Sequence, residues 1–175
     1  MKYILSLLSF ILSVSFSKAD VSKDFVGLLL SDIKSTQSVQ NSSEEDYQCI
    51  TIGPTMMEKV IDMMAEKNKN EEGSNADKNR QIIKKILPHI KSLRVFSAQQ
   101  NSDAYYENVT TLLNKNKSTY KPYSTADKEN TCIWLRKNKN TVIEIIQINK
   151  KEDDLKVVNF TGEMTNDFVS ELLKM

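Results

Sequence analysis

The alternation of apolar and polar positions is clearest toward the C-terminal end. Residues 131–136, 141–148 and 155–161 are rich in β-branched and aromatic side chains, the composition of a half-buried pleated surface. Lys137-Asn138-Lys139-Asn140 and Lys150-Lys151-Glu152-Asp153-Asp154 separate them. Asn tolerates left-handed backbone angles and the second run is solvated charge, so both read as turns. Connections this short make the strands antiparallel neighbours. Alternation puts Ile143, Ile145 and Gln147 on one face and Val142, Glu144, Ile146 and Ile148 on the other. On the third segment Val158 and Phe160 oppose Leu155, Val157 and Asn159. Neither face is polar throughout, which predicts helices over one face and a second face only partly wet. Gly162 ends the third strand. Thr165 then caps a helix striped by Phe168, Val169, Leu172 and Leu173.

Upstream, residues 20–36 carry Val21, Phe25, Leu28, Leu29 and Ile33 at helical spacing. A polar, Ser- and Glu-rich linker follows to Asp46. Residues 47–52 alternate as a strand that Gly53-Pro54 breaks, and Pro54 opens a helix striped by Met57, Val60, Ile61 and Met64. A charged loop at 68–75 precedes a helix carrying Ile82, Ile83, Ile86 and Leu87, which Pro88 stops. Residues 93–96 form a short strand. Asn101 or Ser102 caps a helix with Tyr105, Val109, Leu112 and Leu113 inward, and 115–129 is a polar loop. The chain therefore reads as α+β: a mixed, mainly antiparallel sheet of about five strands with a C-terminal three-strand meander and helices packed on one face. The first two strands, joined through helices, are expected to be parallel if they share the sheet.

The N-terminus changes the picture of where the chain works. Lys2 precedes a short apolar run, and Ser17-Lys18-Ala19 places small residues where a signal peptidase reads them. The expected organisation is a signal peptide at 1–19, an N-terminal helix and polar linker at 20–46, and a single α+β domain at 47–175. The alternative, an N-terminal membrane anchor, is poorly served by so short a run. No cysteine stands near the cleavage site to take a lipid, and no later segment is expected to span a membrane. Export to the periplasm or the extracellular space follows. With 24 Lys+Arg and 23 Asp+Glu, loss of Lys2 and Lys18 leaves a formal charge of −1. Both signs are dispersed along the chain, which argues against a nucleic-acid footprint.

Three local cues carry a resemblance. They are the strand running into Gly53-Pro54 and a Met-bearing helix, the run Ile90-Lys91-Ser92-Leu93-Arg94-Val95-Phe96, and the closing Val158-Asn159-Phe160-Thr161-Gly162-Glu163. With the element order, they resemble a domain-of-unknown-function family (number 4252) of small exported bacterial proteins. The resemblance implies export and supplies no catalytic residues. Many members of that family look lipid-anchored through a cysteine that this chain lacks.

Candidate chemistry is sparse. Cys49 and Cys132 are the two cysteines; in an exported chain they are either a disulfide or two separate thiols acting as small apolar groups. Met56, Met57, Met63 and Met64 could offer thioethers to Cu(I), but adjacent methionines point to different helix faces and core filling explains them better. His89 is the lone histidine, so neither a zinc site nor a nucleophile–base pair is expected. Glu144 sits inside an apolar strand, where it is either buried with a raised pKa, or faces solvent on the meander, or is paired with Arg136 on the neighbouring strand. Tyr120 and Tyr123 flank Lys121-Pro122 and offer aromatic contacts from a loop, unless they pack over the sheet edge. The functional expectation is a non-catalytic exported protein that binds an envelope or secreted protein, with no cofactor and no metal. The alternative is a small-molecule binder or atypical enzyme with a pocket near Glu144 and Arg136.

Overall fold

Each of the three C-terminal segments becomes a strand longer than the run that predicts it: the first two grow at their C-terminal ends, to Asn138 and Lys151, and the third at both, from Asp154 to Met164. The computed structural model describes residues 24–37, 46–59, 87–123, 131–167, 169 and 170. Its strands are β1 (Gln48–Ile52), β2 (Ile90–Ala98), β3 (Tyr120–Pro122), β4 (Thr131–Asn138), β5 (Thr141–Lys151) and β6 (Asp154–Met164). They form one six-stranded sheet in the order β1-β2-β6-β5-β4-β3. Every neighbouring pair is antiparallel. Among the described residues two longer helices, α1 (Phe25–Gln37) and α2 (Ser102–Lys115), pack with the sheet. Short helical stretches also occur at 54–59, at Leu87–His89 and from residue 166.

The α+β class is as the sequence predicts, and finer expectations change, the meander among them: β3, β4, β5 and β6 follow one another across the sheet, four strands rather than three. The sheet has six strands rather than about five, because the segment read as a polar loop contributes β3, paired with β4 from Tyr120↔Arg136 to Pro122↔Trp134. The first two strands are antiparallel rather than parallel, with Cys49 opposite Phe96. The crossover rule applies to a connection that passes along the sheet once. The sequence pattern puts two helices between these strands, and two passes return the chain to the end it left.

Helical segments also lie on both faces rather than one. Phe25, Leu29, Ile33, Val109 and Leu113 pack with Phe96, Ile146, Ile148, Leu155 and Val157 on the first face. Met57 and Val169 pack with Leu93, Val95, Ile133, Ile145 and Phe160 on the second. The central strands are therefore buried on both sides, which is why neither face of the sequence reads as polar. Finally, Val142 belongs to the second face and not to the face of Glu144. The registers against both β4 and β6 shift between Val142 and Glu144, and such an irregularity reverses the alternation beyond it.

Cys49 and Cys132 are both free. Their strands are separated by β2, β6 and β5, four interstrand steps or about 19 Å. A disulfide needs Cα atoms within about 7 Å, so the two are separate thiols. Burial pushes the Cys49 thiol pKa up.

Gly162 lies where β6 meets the start of β2, at the register shift between Ile90 and Ser92. A Cβ at this position would fall on the backbone carbonyl of His89 and within 3.0 Å of the Ile90 Cα. Backbone on both sides has no side chain to rotate away. Gly162→Ala should therefore destabilise the fold by about 1–3 kcal/mol, the usual cost of overpacking, read as a fall in the urea midpoint at unchanged slope.

Candidate functional site: a buried polar row under the N-terminal helix

Register aligns polar residues into rows across the first face. Ser92 pairs with Thr161, Thr161 with Glu144, Glu144 with Arg136 and Arg136 with Tyr120. The next row in the same direction holds Arg94 opposite Asn159. Both rows lie on the face that α1 covers.

Helix α1 begins on these rows. Asp24 is its N-cap, with Oδ1 accepting from the Gly27 N–H at 2.7 Å, as a helix start requires. Its other oxygen meets Arg94 Nε at 3.2 Å, both side chains nearly buried. The next N–H, that of Phe25, donates to Glu144 Oε1 at 2.6 Å. Two carboxylates thus sit at the positive end of the helix dipole. The Phe25 ring meets Tyr120 edge-on at 5.5 Å.

Glu144 is fully buried rather than solvent-facing, and its partners come from three elements. Besides Phe25 on α1, Oε1 accepts from Asn159 Nδ2 on β6 at 2.9 Å. Oε2 lies 2.7 Å from Arg136 Nη2 on β4. Arg136 in turn lies over the Tyr120 ring, 5.9 Å from its centroid. Burial pushes the Glu144 carboxyl pKa up, and the Phe25 N–H, Arg136 and Asn159 pull it part of the way back. The Tyr120 hydroxyl is also pushed up, first by burial and then by the Glu144 charge. Its phenol stays protonated and available as a donor.

Of the residues singled out from sequence, Glu144, Arg136 and Tyr120 are brought together. Tyr120 is buried in a strand at 1 % exposure rather than displayed on a loop, because Pro122 and Lys121 pair it to β4. Tyr123 is half-buried and packs against the opposite core. Its N–H donates to the Ile133 carbonyl at 2.8 Å. His89 is exposed at the start of β2, and Met56 is exposed while Met57 is buried; Met63 and Met64 lie outside the described residues. Among the described residues no group of three or more His, Cys, Asp or Glu converges as a metal site. Nor is any helix among them long and apolar enough to cross a membrane.

Sequence reasoning missed Asp24, Arg94 and Asn159. Signals were present: a capping residue directly before an apolar run, and single polar residues inside apolar strands. What no local pattern supplies is the register that sets Asn159 and Arg94 on the same face as Glu144.

The family model for the Domain of unknown function (DUF4252) matches residues 42–172, most of the chain. The chain belongs to the DUF4252 family. No curated protein and no solved structure matches it. The DUF4252 match takes in the whole sheet, from β1 to β6, with Arg94, Tyr120, Arg136, Glu144 and Asn159. It leaves out α1 and Asp24.

Removing one partner from a buried ion pair strands the other. Glu144→Leu should cost about 3–5 kcal/mol of stability. Glu144→Gln should cost less, since its amide oxygen still accepts from Phe25 and Asn159. The pH dependence has a definite sign. A folded pKa raised above 4.5 means the native state holds this proton more readily than the unfolded chain. The contribution is complete below pH 4.5 and is lost as pH rises through the folded value. Urea midpoints should therefore shift in favour of Glu144→Gln, relative to wild type, as pH rises from 4.5. A difference that does not change with pH would refute the assignment.

Proposed function

We propose that the protein is an exported, non-catalytic binding protein whose partner is an envelope or secreted protein. The observation that carries the reading is the state of Glu144. The most strongly buried carboxylate among the described residues has both oxygens occupied by groups of the fold, with α1 seated over it. A general acid or base must reach the proton it transfers, and this one is spent on holding a helix. The short apolar leader supports export. The dispersed charge of the mature chain argues against nucleic acid.

A second reading, a small-molecule site beside Arg136, draws on a different observation. Asn159 Oδ1 and Arg136 Nε are buried and have no hydrogen-bond partner, and the Arg136 side chain keeps 27 % of its surface exposed. Buried polar atoms of this kind are normally satisfied, so a small polar ligand would find both an acceptor and a donor there.

Affinity purification of the tagged mature protein from its own cell envelope, with mass spectrometry of bait and co-purified species, separates the two. The first reading expects a bait that begins at Asp20 and a stoichiometric protein partner. A lone bait that retains a small molecule under native ionisation would replace it with the second.

A further inference from the structure

The face under α1 is built in two parts. At one end lie Arg94, Glu144, Asn159 and Arg136; beyond them lie Phe96, Ile146, Ile148 and Val157, all buried. Helix α1 matches this division. Its start presents a carboxylate to Arg94 and an N–H to Glu144, and its body lays Leu29 and Ile33 on the apolar part. Its outer side, with Leu28, Ser31 and Lys34, faces solvent. The polar end is therefore shaped for the N-terminus of a helix: a guanidinium for the capping carboxylate, and a carboxylate for the first free N–H.

Two features separate the occupant from the face. All the face residues lie within the family match at 42–172, and α1 lies before it. Residues 38–45, which join α1 to Asp46, are mostly polar in sequence. The fit is also incomplete: with α1 seated, Asn159 Oδ1 and Arg136 Nε remain unpaired. A helix bringing a second carboxylate to Arg136 would satisfy more of the site than α1 does.

We propose that this sheet face is a receptor for the start of an acidic amphipathic helix. Helix α1 occupies it in cis, and a partner helix that opens with a carboxylate cap and an aromatic residue displaces α1 in trans. The proposal rests on the binding-protein reading and names its site and the chemistry of its partner. The apolar part supplies affinity, and the buried charges supply direction and register, since a helix laid the other way would set its C-terminal carbonyls against Glu144.

The test uses the full mature chain with a protease site placed within 38–45 and cut after folding. The probe is a synthetic peptide of residues 20–37 carrying a fluorophore on Lys34, which is exposed. The cut protein should keep its cooperative melt and exchange its helix for the probe at one-to-one stoichiometry. Probes with Asp24→Ala or Phe25→Ala should bind about tenfold more weakly. The probe carrying Lys23→Glu, which sets a second carboxylate directly before Asp24, should bind more tightly than the native sequence. Loss of folding on cutting, no exchange under excess probe, or exchange indifferent to both substitutions would each overturn the proposal. If exchange fails while the uncut protein still captures its envelope partner, the binding reading stands and this face is removed from it. Exchange with no envelope partner leaves the receptor and removes the partner reading.

Discussion

A carboxylate with no solvent exposure at the head of a helix is the constraint around which the rest of this structure is arranged. Taking Glu144 out of water is costly, and the cost is met by one donor from α1, one from β6 and a guanidinium from β4. Four elements are thereby tied at one atom group. A slip of one residue in any of those strands would carry its partner to the opposite face and leave the charge alone. Apolar residues of similar volume would hold the helix with comparable strength, but they would accept several registers. The ionic cluster accepts one, which makes specificity of placement, rather than stability, the better account of its presence.

The irregularities in the sheet serve the same arrangement. Registers on both sides of β5 shift between Val142 and Glu144, so the strand presents Glu144 to α1 and, beyond the shift, Val142 to the opposite core with Met164 and Val169. A regular strand would set Val142 and Glu144 on one face, placing an apolar side chain at the rim of the polar row. The shift at the start of β2 opposite Gly162 likewise ends the ladder where the chain enters the sheet.

The legible part of the fold was the part written in local patterns. Strands β4, β5 and β6, the α2 stripe of Tyr105, Val109 and Leu113, and the faces of Ile145, Ile146, Val158 and Phe160 all follow from periodicity and turn chemistry. Strand β3 was not legible, because three residues that include Pro122 and Lys121 carry no strand signal of their own; pairing to β4 makes them one. The site was half legible. Glu144 and Arg136 stood out as a charge inside an apolar strand and its cross-strand partner. Asp24 and Asn159 needed long-range register, which residues 24 and 159 cannot announce locally. Tyr120 was noticed for a displayed ring and is instead the buried floor under Phe25.

Helix α1 illustrates how a boundary in family or composition can differ from a boundary in packing. The expected organisation sets it apart from the domain together with the polar linker that follows, and the family match begins after it. Yet Phe25, Val26 and Leu29 have no exposed surface, and the aromatic cluster of Tyr47, Phe96 and Tyr105 continues the same core toward α2. Without a helix in that place, Ile146 and Ile148 would face water, and Glu144 and Arg94 would each lose a principal partner. A sheet carrying those residues therefore calls for a covering helix with a carboxylate at its start, and in this chain α1 meets both conditions.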